Sequence, residues 1–151
     1  AAEEPAEEPA EEAPEEAAEN AEGGEAGEEA AEKKLTPEEE WNAGVEKAEA
    51  FIRKSIEYDD EDPICLDNMA QFIYRVKGDK AAAKEWFDKA IARRETQIDT
   101  LCFLSRYDEE AGDREAALEK LEKAEKGRFS PLNYCDQEMV RQEIARLKGA
   151  D

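Results

Sequence analysis

No histidine occurs anywhere in the chain. Histidine triads, histidine metal sites and histidine general-base mechanisms are therefore excluded, which removes a large part of catalysis at once. Cysteine is scarce: Cys65, Cys102 and Cys135 are the only three. Their odd number and wide spacing match neither a small disulfide framework nor a paired-cysteine metal site, so reduced thiols without an activating partner are expected. The eight glycines form no phosphate-cradling or dinucleotide-binding pattern. The acidic stretch "YDDEDP" ending at Pro63 lacks the alternating ligands, central glycine and distal glutamate of a calcium loop. The expectation is a protein that is not an enzyme and uses no cofactor and no metal.

Long apolar runs are absent as well. No stretch approaches the roughly 18 apolar residues of a membrane span, and the start of the chain carries neither a basic nor an apolar signal region. A soluble, cytoplasmic protein without direct membrane insertion is expected, although the missing initiator Met fits equally with an upstream signal having been removed.

Charge of one sign is missing from the beginning of the chain. Residues 1–32 contain no Lys or Arg and fourteen of the 42 acidic residues, and the net charge of the whole chain is -21. This segment is almost entirely Ala, Glu, Pro and Gly. With nothing larger than Ala to bury it cannot offset the entropy of ordering, so 1–32 reads as a disordered acidic segment. It serves as a solubilising spacer or as a tail for basic partners. Residues 33–151 carry all the aromatic, β-branched and Leu residues, enough for one small domain. Their Lys and Arg are interleaved with acids, which argues against nucleic acid.

Within that domain strand patterns are scarce, and Gly or Pro punctuates the chain at helix-length intervals. The reading is all-α, with helices at about 37–58, 63–77, 80–95, 98–111, 114–126 and 131–148. Thr36, Pro37 and Glu39 form a capping box that opens the first, whose apolar stripe is Trp41, Val45, Ala48, Ile52 and Ile56. Leu66, Met69, Ala70 and Ile73 line the second, and Ala83, Phe87 and Ala90 the third. The fourth buries Leu101, Leu104 and Tyr107, and the fifth Ala117, Leu121 and Ala124. Ser130 and Pro131 are the expected cap of the sixth, whose stripe is Met139, Val140, Ile144 and Leu147.

Two phrases repeat: "GDKAAAKEWFDKA" from Gly78 and "GDREAALEKLEKA" from Gly112. Gly78 matches Gly112, Ala83 matches Ala117, Phe87 matches Leu121 and Ala90 matches Ala124, each 34 residues apart. A fixed period of this length signals stacked helix pairs, with small residues permitting close helix approach. These residues resemble the tetratricopeptide repeat family, with Ser105, Gly112, Ala117 and Ala124 at the small positions of one unit and Gly78, Ala83 and Ala90 in the other. Ala70 precedes Gly78 by eight residues where Ser105 precedes Gly112 by seven, which suggests one extra residue in the earlier helix. The signature Trp, Tyr and closing Pro are mostly missing.

The resemblance implies antiparallel helical hairpins in a right-handed array of about two full units, with a half unit before and a cap after. It further implies a concave groove, lined by the first helix of each unit, that binds a peptide or a partner helix. By helical spacing, Asp67, Gln71, Tyr74 and Arg75 flank the apolar face of 63–77, and Asp99, Cys102, Arg106 and Glu109 flank that of 98–111. These eight are the partner-binding candidates. Arg75 and Arg106 suit a partner carboxylate, Tyr74 suits stacking and Gln71 suits peptide backbone. Trp86 suits a wedge between units. Arg141, Gln142, Arg146 and Lys148 give the last helix the polar face of a solvating cap.

The expected function is non-catalytic protein–protein recognition, as an adaptor or scaffold. The alternatives are structural self-assembly into a homo-oligomer, or a holdase-like binder of basic proteins acting through the acidic segment.

Overall fold

The computed structural model describes residues 33–149. The acidic segment 1–32 lies outside the described residues. The described chain forms helices joined by turns and contains no strand: α1 is Pro37–Tyr58, α2 is Pro63–Phe72, α3 is Lys80–Arg93, α4 is Ile98–Glu110, α5 is Arg114–Glu125 and α6 is Gln137–Gly149.

Local chemistry starts most of these helices where the residues direct. The Thr36 side chain accepts from the Glu39 amide at 3.2 Å, while Glu39 accepts from the Thr36 amide at 2.8 Å, the reciprocal bonding of a capping box. Asp62 caps α2 by accepting from the Ile64 amide at 2.8 Å. Asp79 and Asp113 cap α3 and α5 alike, each accepting at 3.0 Å from the amide three residues on, Ala82 and Ala116. Each cap at this position is worth about 0.5–2 kcal/mol. The preceding glycines supply the reversal: Gly78 has φ 68° and Gly112 φ 82°, a left-handed conformation that costs a residue with Cβ but not glycine.

α2 packs on α3 and α4 on α5, with α3 joining the two pairs, α1 against α2 and α6 against α5. The alanines of the repeated phrase, with Ala70 of α2, make that approach possible: Ala70, Ala83, Ala90, Ala117 and Ala124 are all fully buried. Phe87 and Leu121 fill the space beside them. One core cluster gathers Met69, Ala70, Ile73, Ala83 and Phe87 with Phe103 and Leu104 from α4. The other gathers Leu101 and Cys102 with Ala117, Leu121, Val140, Ile144 and Leu147. Ile91 packs against both.

The extra residue before Gly78 has a defined place. α2 continues into a π-helical turn, Ile73–Lys77, and the Gly78 amide reaches back to the Ile73 carbonyl. A π turn accommodates one inserted residue without breaking the helix. From N-cap to glycine the earlier helix therefore runs from Asp62 to Gly78, one residue more than Gln97 to Gly112.

Three expectations need correction. On α1, Val45, Ile52 and Ile56 are half-buried, but Ala48 is exposed and Trp41 is 64% exposed. The helix is 22 residues long, and no earlier helix among the described residues covers its first turns. α3 ends at Arg93, not near 95, because Arg94 leaves helical geometry and Gln97 turns back to bond the Arg94 carbonyl at 3.2 Å. α6 begins at Gln137 rather than at Pro131. Ser130 accepts from the Leu132 amide and its own amide donates to Asn133 Oδ1, so Ser130 caps a turn. Asp136 is the cap of α6, accepting from the Met139 amide at 2.8 Å.

Candidate functional site

Residues 130–136, having no helix of their own, cross the face formed by α2 and α4. Asp99, at the start of α4, holds them there: its carboxylate accepts from the Tyr134 amide at 2.9 Å and from the Cys135 amide at 3.0 Å. It also accepts from Gln71 Nε2 at 3.5 Å. Asp99 is buried, so these charge-assisted bonds replace the water it gave up.

The segment delivers Tyr134 onto the face. Its ring stacks on Phe103 with centroids 5.5 Å apart, and the Arg75 guanidinium lies over the Tyr134 ring, 4.1 Å from its centroid. Phe103 stacks in turn on Phe87, and Tyr74 meets Phe87, Phe103 and Tyr107 edge-on. Arg106 lies 4.7 Å over Phe103 and 5.9 Å over Tyr74. Burial is the largest influence on Arg106 and opposes its charge, but Tyr74, Cys135 and Tyr134 together more than offset it, so its pKa is raised. The guanidinium therefore stays charged on an aromatic floor, a favourable placement for a cation.

Gln71, Tyr74, Arg75, Asp99 and Arg106 are thus brought together around Tyr134. The other three candidates are placed differently. Asp67 is buried and faces inward, accepting from Thr100 Oγ1 at 2.6 Å and Gln71 Nε2 at 2.7 Å. Burial, with the Asp99 charge adding to it, pushes its carboxyl up to about 6 against the pull of those two bonds. Cys102 is buried in the second core cluster. The neighbouring Cys135 thiol, then burial, pushes its pKa well up. Glu109 is committed to α6, where both oxygens accept from Arg146 at 2.7 and 2.8 Å; that bond lowers the Glu109 pKa. Helical spacing put these three beside the apolar face; Asp67 is taken up by Thr100 of α4 and Glu109 by Arg146 of α6, and Cys102 shares a core cluster with Cys135 and α6.

The residues missed from sequence are Tyr134, Cys135 and Phe103. Reading 131–148 as helix hid the first two. The available signal was Asp136 followed by Gln137 and Glu138, an alternative cap with an acidic first turn. A cavity of about 160 Å³ opens between α4, α5 and α6, lined in part by Cys102, Arg106, Glu109, Cys135 and Met139. Among the described residues no cluster of three metal-ligating side chains occurs, and no helix is long and apolar enough to cross a membrane.

No protein-family model, curated protein or solved structure matches the chain.

Proposed function

We propose that residues 33–151 are a protein–protein interaction module: a short tetratricopeptide-like array, without catalytic activity, that binds a peptide or helix carrying a carboxylate across α2 and α4. The array reading is supported by the shared glycine turns, caps and buried alanines of the α2/α3 and α4/α5 pairs. A cytoplasmic setting accords with three free thiols.

One observation carries the ligand. In a chain with 42 acidic residues, Arg75 and Arg106 form no ion pair with the carboxylates of the described residues. Both lie on one aromatic floor. Guanidinium forks bind carboxylates with two parallel bonds and stack on rings at the same time. An extended peptide with an acidic side chain or a free C-terminus answers both properties.

The test is selection from a displayed library of random peptides with free C-termini, run on the full chain and on an Arg75→Ala/Arg106→Ala variant. Enrichment of acidic or C-terminal carboxylate peptides that bind the variant at least about tenfold more weakly supports the reading. Enrichment indifferent to the two changes overturns it.

A second reading, self-assembly, is favoured by α1, whose Trp41, Phe51 and Tyr58 are 64%, 73% and 93% exposed. An uncovered end of a helical array can stack on another copy. Sedimentation of the full chain and of Trp41→Glu decides it: an oligomer that the change dissolves supports self-assembly, and a monomer at high concentration removes it. The holdase alternative rests on 1–32, outside the described residues.

A further inference from the structure

Cys102 and Cys135 come from distant parts of the chain yet share one environment. Cys102 sits in the middle of α4, and Cys135 sits in the segment that crosses to it. Both are buried at 5% and 4% exposure, both belong to the same core cluster, and both line the 160 Å³ cavity. The neighbouring Cys135 thiol, ahead of burial, is what pushes the Cys102 pKa up. Their backbones are held in register independently, because Asp99, one turn before Cys102, binds the Cys135 amide at 3.0 Å. Cys65, the remaining thiol, is half-buried and donates to Asp62 Oδ2 at 3.5 Å.

Two buried thiols that line one cavity, with Asp99 tying the Cys135 amide to the turn of α4 before Cys102 and room for a small oxidant, are placed for intramolecular disulfide closure. We propose that Cys102 and Cys135 are a redox modification site, closing to a disulfide with a peroxide and thereby fastening residues 130–136 to α4. In chemical terms, one sulfur as thiolate attacks the O–O bond of hydrogen peroxide and becomes a sulfenic acid, releasing hydroxide. The second thiol loses its proton, attacks that sulfur and expels the hydroxyl group as water. Two thiols and one peroxide give one disulfide and two waters, the sulfurs losing the two electrons that the O–O bond gains. A low-molecular-weight thiol reverses the step by exchange.

The consequence follows from the position of Tyr134, the residue before Cys135. Oxidation fixes its ring against Phe103 and Arg75, whereas reduction leaves it held by hydrogen bonds and stacking alone. This consequence rests on the groove reading above; disulfide formation does not.

The test treats the full chain with hydrogen peroxide, then maps disulfides by mass spectrometry of non-reduced peptides and follows amide hydrogen exchange. The expected result is a single Cys102–Cys135 cross-link, loss of two of the three titratable thiols, and exchange at Tyr134 and Cys135 slowed by about tenfold or more. A Cys65→Ser chain gives the same cross-link; Cys135→Ser gives none and no slowing. Three thiols left free, a cross-link through Cys65, or oxidation to sulfinic acid without a cross-link overturns the proposal. If the cross-link forms while affinity for a selected acidic peptide is unchanged, the site stands and the groove reading fails.

Discussion

The Asp99 carboxylate accepts the Tyr134 amide at 2.9 Å, tying the first turn of α4 to a residue 35 positions later. That one relationship decides both where α6 begins and what covers the face between α2 and α4.

Asp99→Asn therefore releases the crossing segment. The amide keeps one acceptor oxygen but turns its NH2 toward a backbone donor, leaving one buried N–H unsatisfied at a cost of about 1–3 kcal/mol. Chemical denaturation is expected to show that loss, with faster hydrogen exchange at Tyr134 and Cys135. A variant whose exchange there matches the parent removes Asp99 from this role.

Asp67 makes stability depend on pH. Its folded pKa, about 6, lies above the value of 3.8 for the free group, so the folded state holds the proton more tightly. The associated stability is complete below about pH 4 and is lost as pH rises through about 6, so ionised Asp67 costs folding on the order of 2–3 kcal/mol at neutral pH. Thr100, Gln71 and Asp99 face it, and the first two bonds survive in Asp67→Asn if the Gln71 amide turns over. Denaturation midpoints from about pH 4 to 7 should be flatter for Asp67→Asn than for the parent; identical slopes would contradict the assignment.

Phe87 joins both helix pairs by stacking on Phe103 at 5.0 Å while fully buried. Phe87→Ala is expected to cost about 3–5 kcal/mol through the cavity it leaves. Trp41→Ala, at an exposed position, should stay within about 0.5 kcal/mol. Equal losses from the two would mean that α1 is covered in solution, as self-assembly requires.

Arg146 clamps α6 to Glu109 of α4 and also bonds Glu143 within α6, and Arg114 donates to the Leu147 carbonyl. Because the Arg146 pairs are largely open to water, Arg146→Ala should cost at most about 1 kcal/mol, and less at high salt. Thermal denaturation at two ionic strengths checks this.

What was legible in the sequence was local. Gly78–Asp79 and Gly112–Asp113 announce their turns because a left-handed glycine followed by a capping aspartate is a chemical statement made by adjacent residues. The eight-residue step from Ala70 to Gly78, against seven from Ser105 to Gly112, showed one extra residue but not its form, which is the π turn at Ile73–Lys77. The crossing segment was not legible, because Ser130–Pro131 is as good a helix start as Asp136 when read alone. The choice between them is made by Asp99, which is distant in sequence. Helical spacing likewise places Asp67 and Asp99 at the edge of an apolar face but cannot say that α4 will bond the first and a later loop the second. Arg75 and Arg106 stayed accessible to the reading because their partners, the rings of Tyr134, Phe103 and Tyr74, leave the charges unpaired.

The most direct measurement is a titration of the isotope-labelled full chain with an acidic peptide taken from the selection, followed by backbone and arginine side-chain NMR. Binding is predicted to shift Tyr74, the Arg75 and Arg106 guanidinium signals and the Tyr134 amide, and to weaken as salt rises. Shifts confined to α1, or binding that leaves both guanidinium signals unmoved, would contradict recognition of a carboxylate on this face.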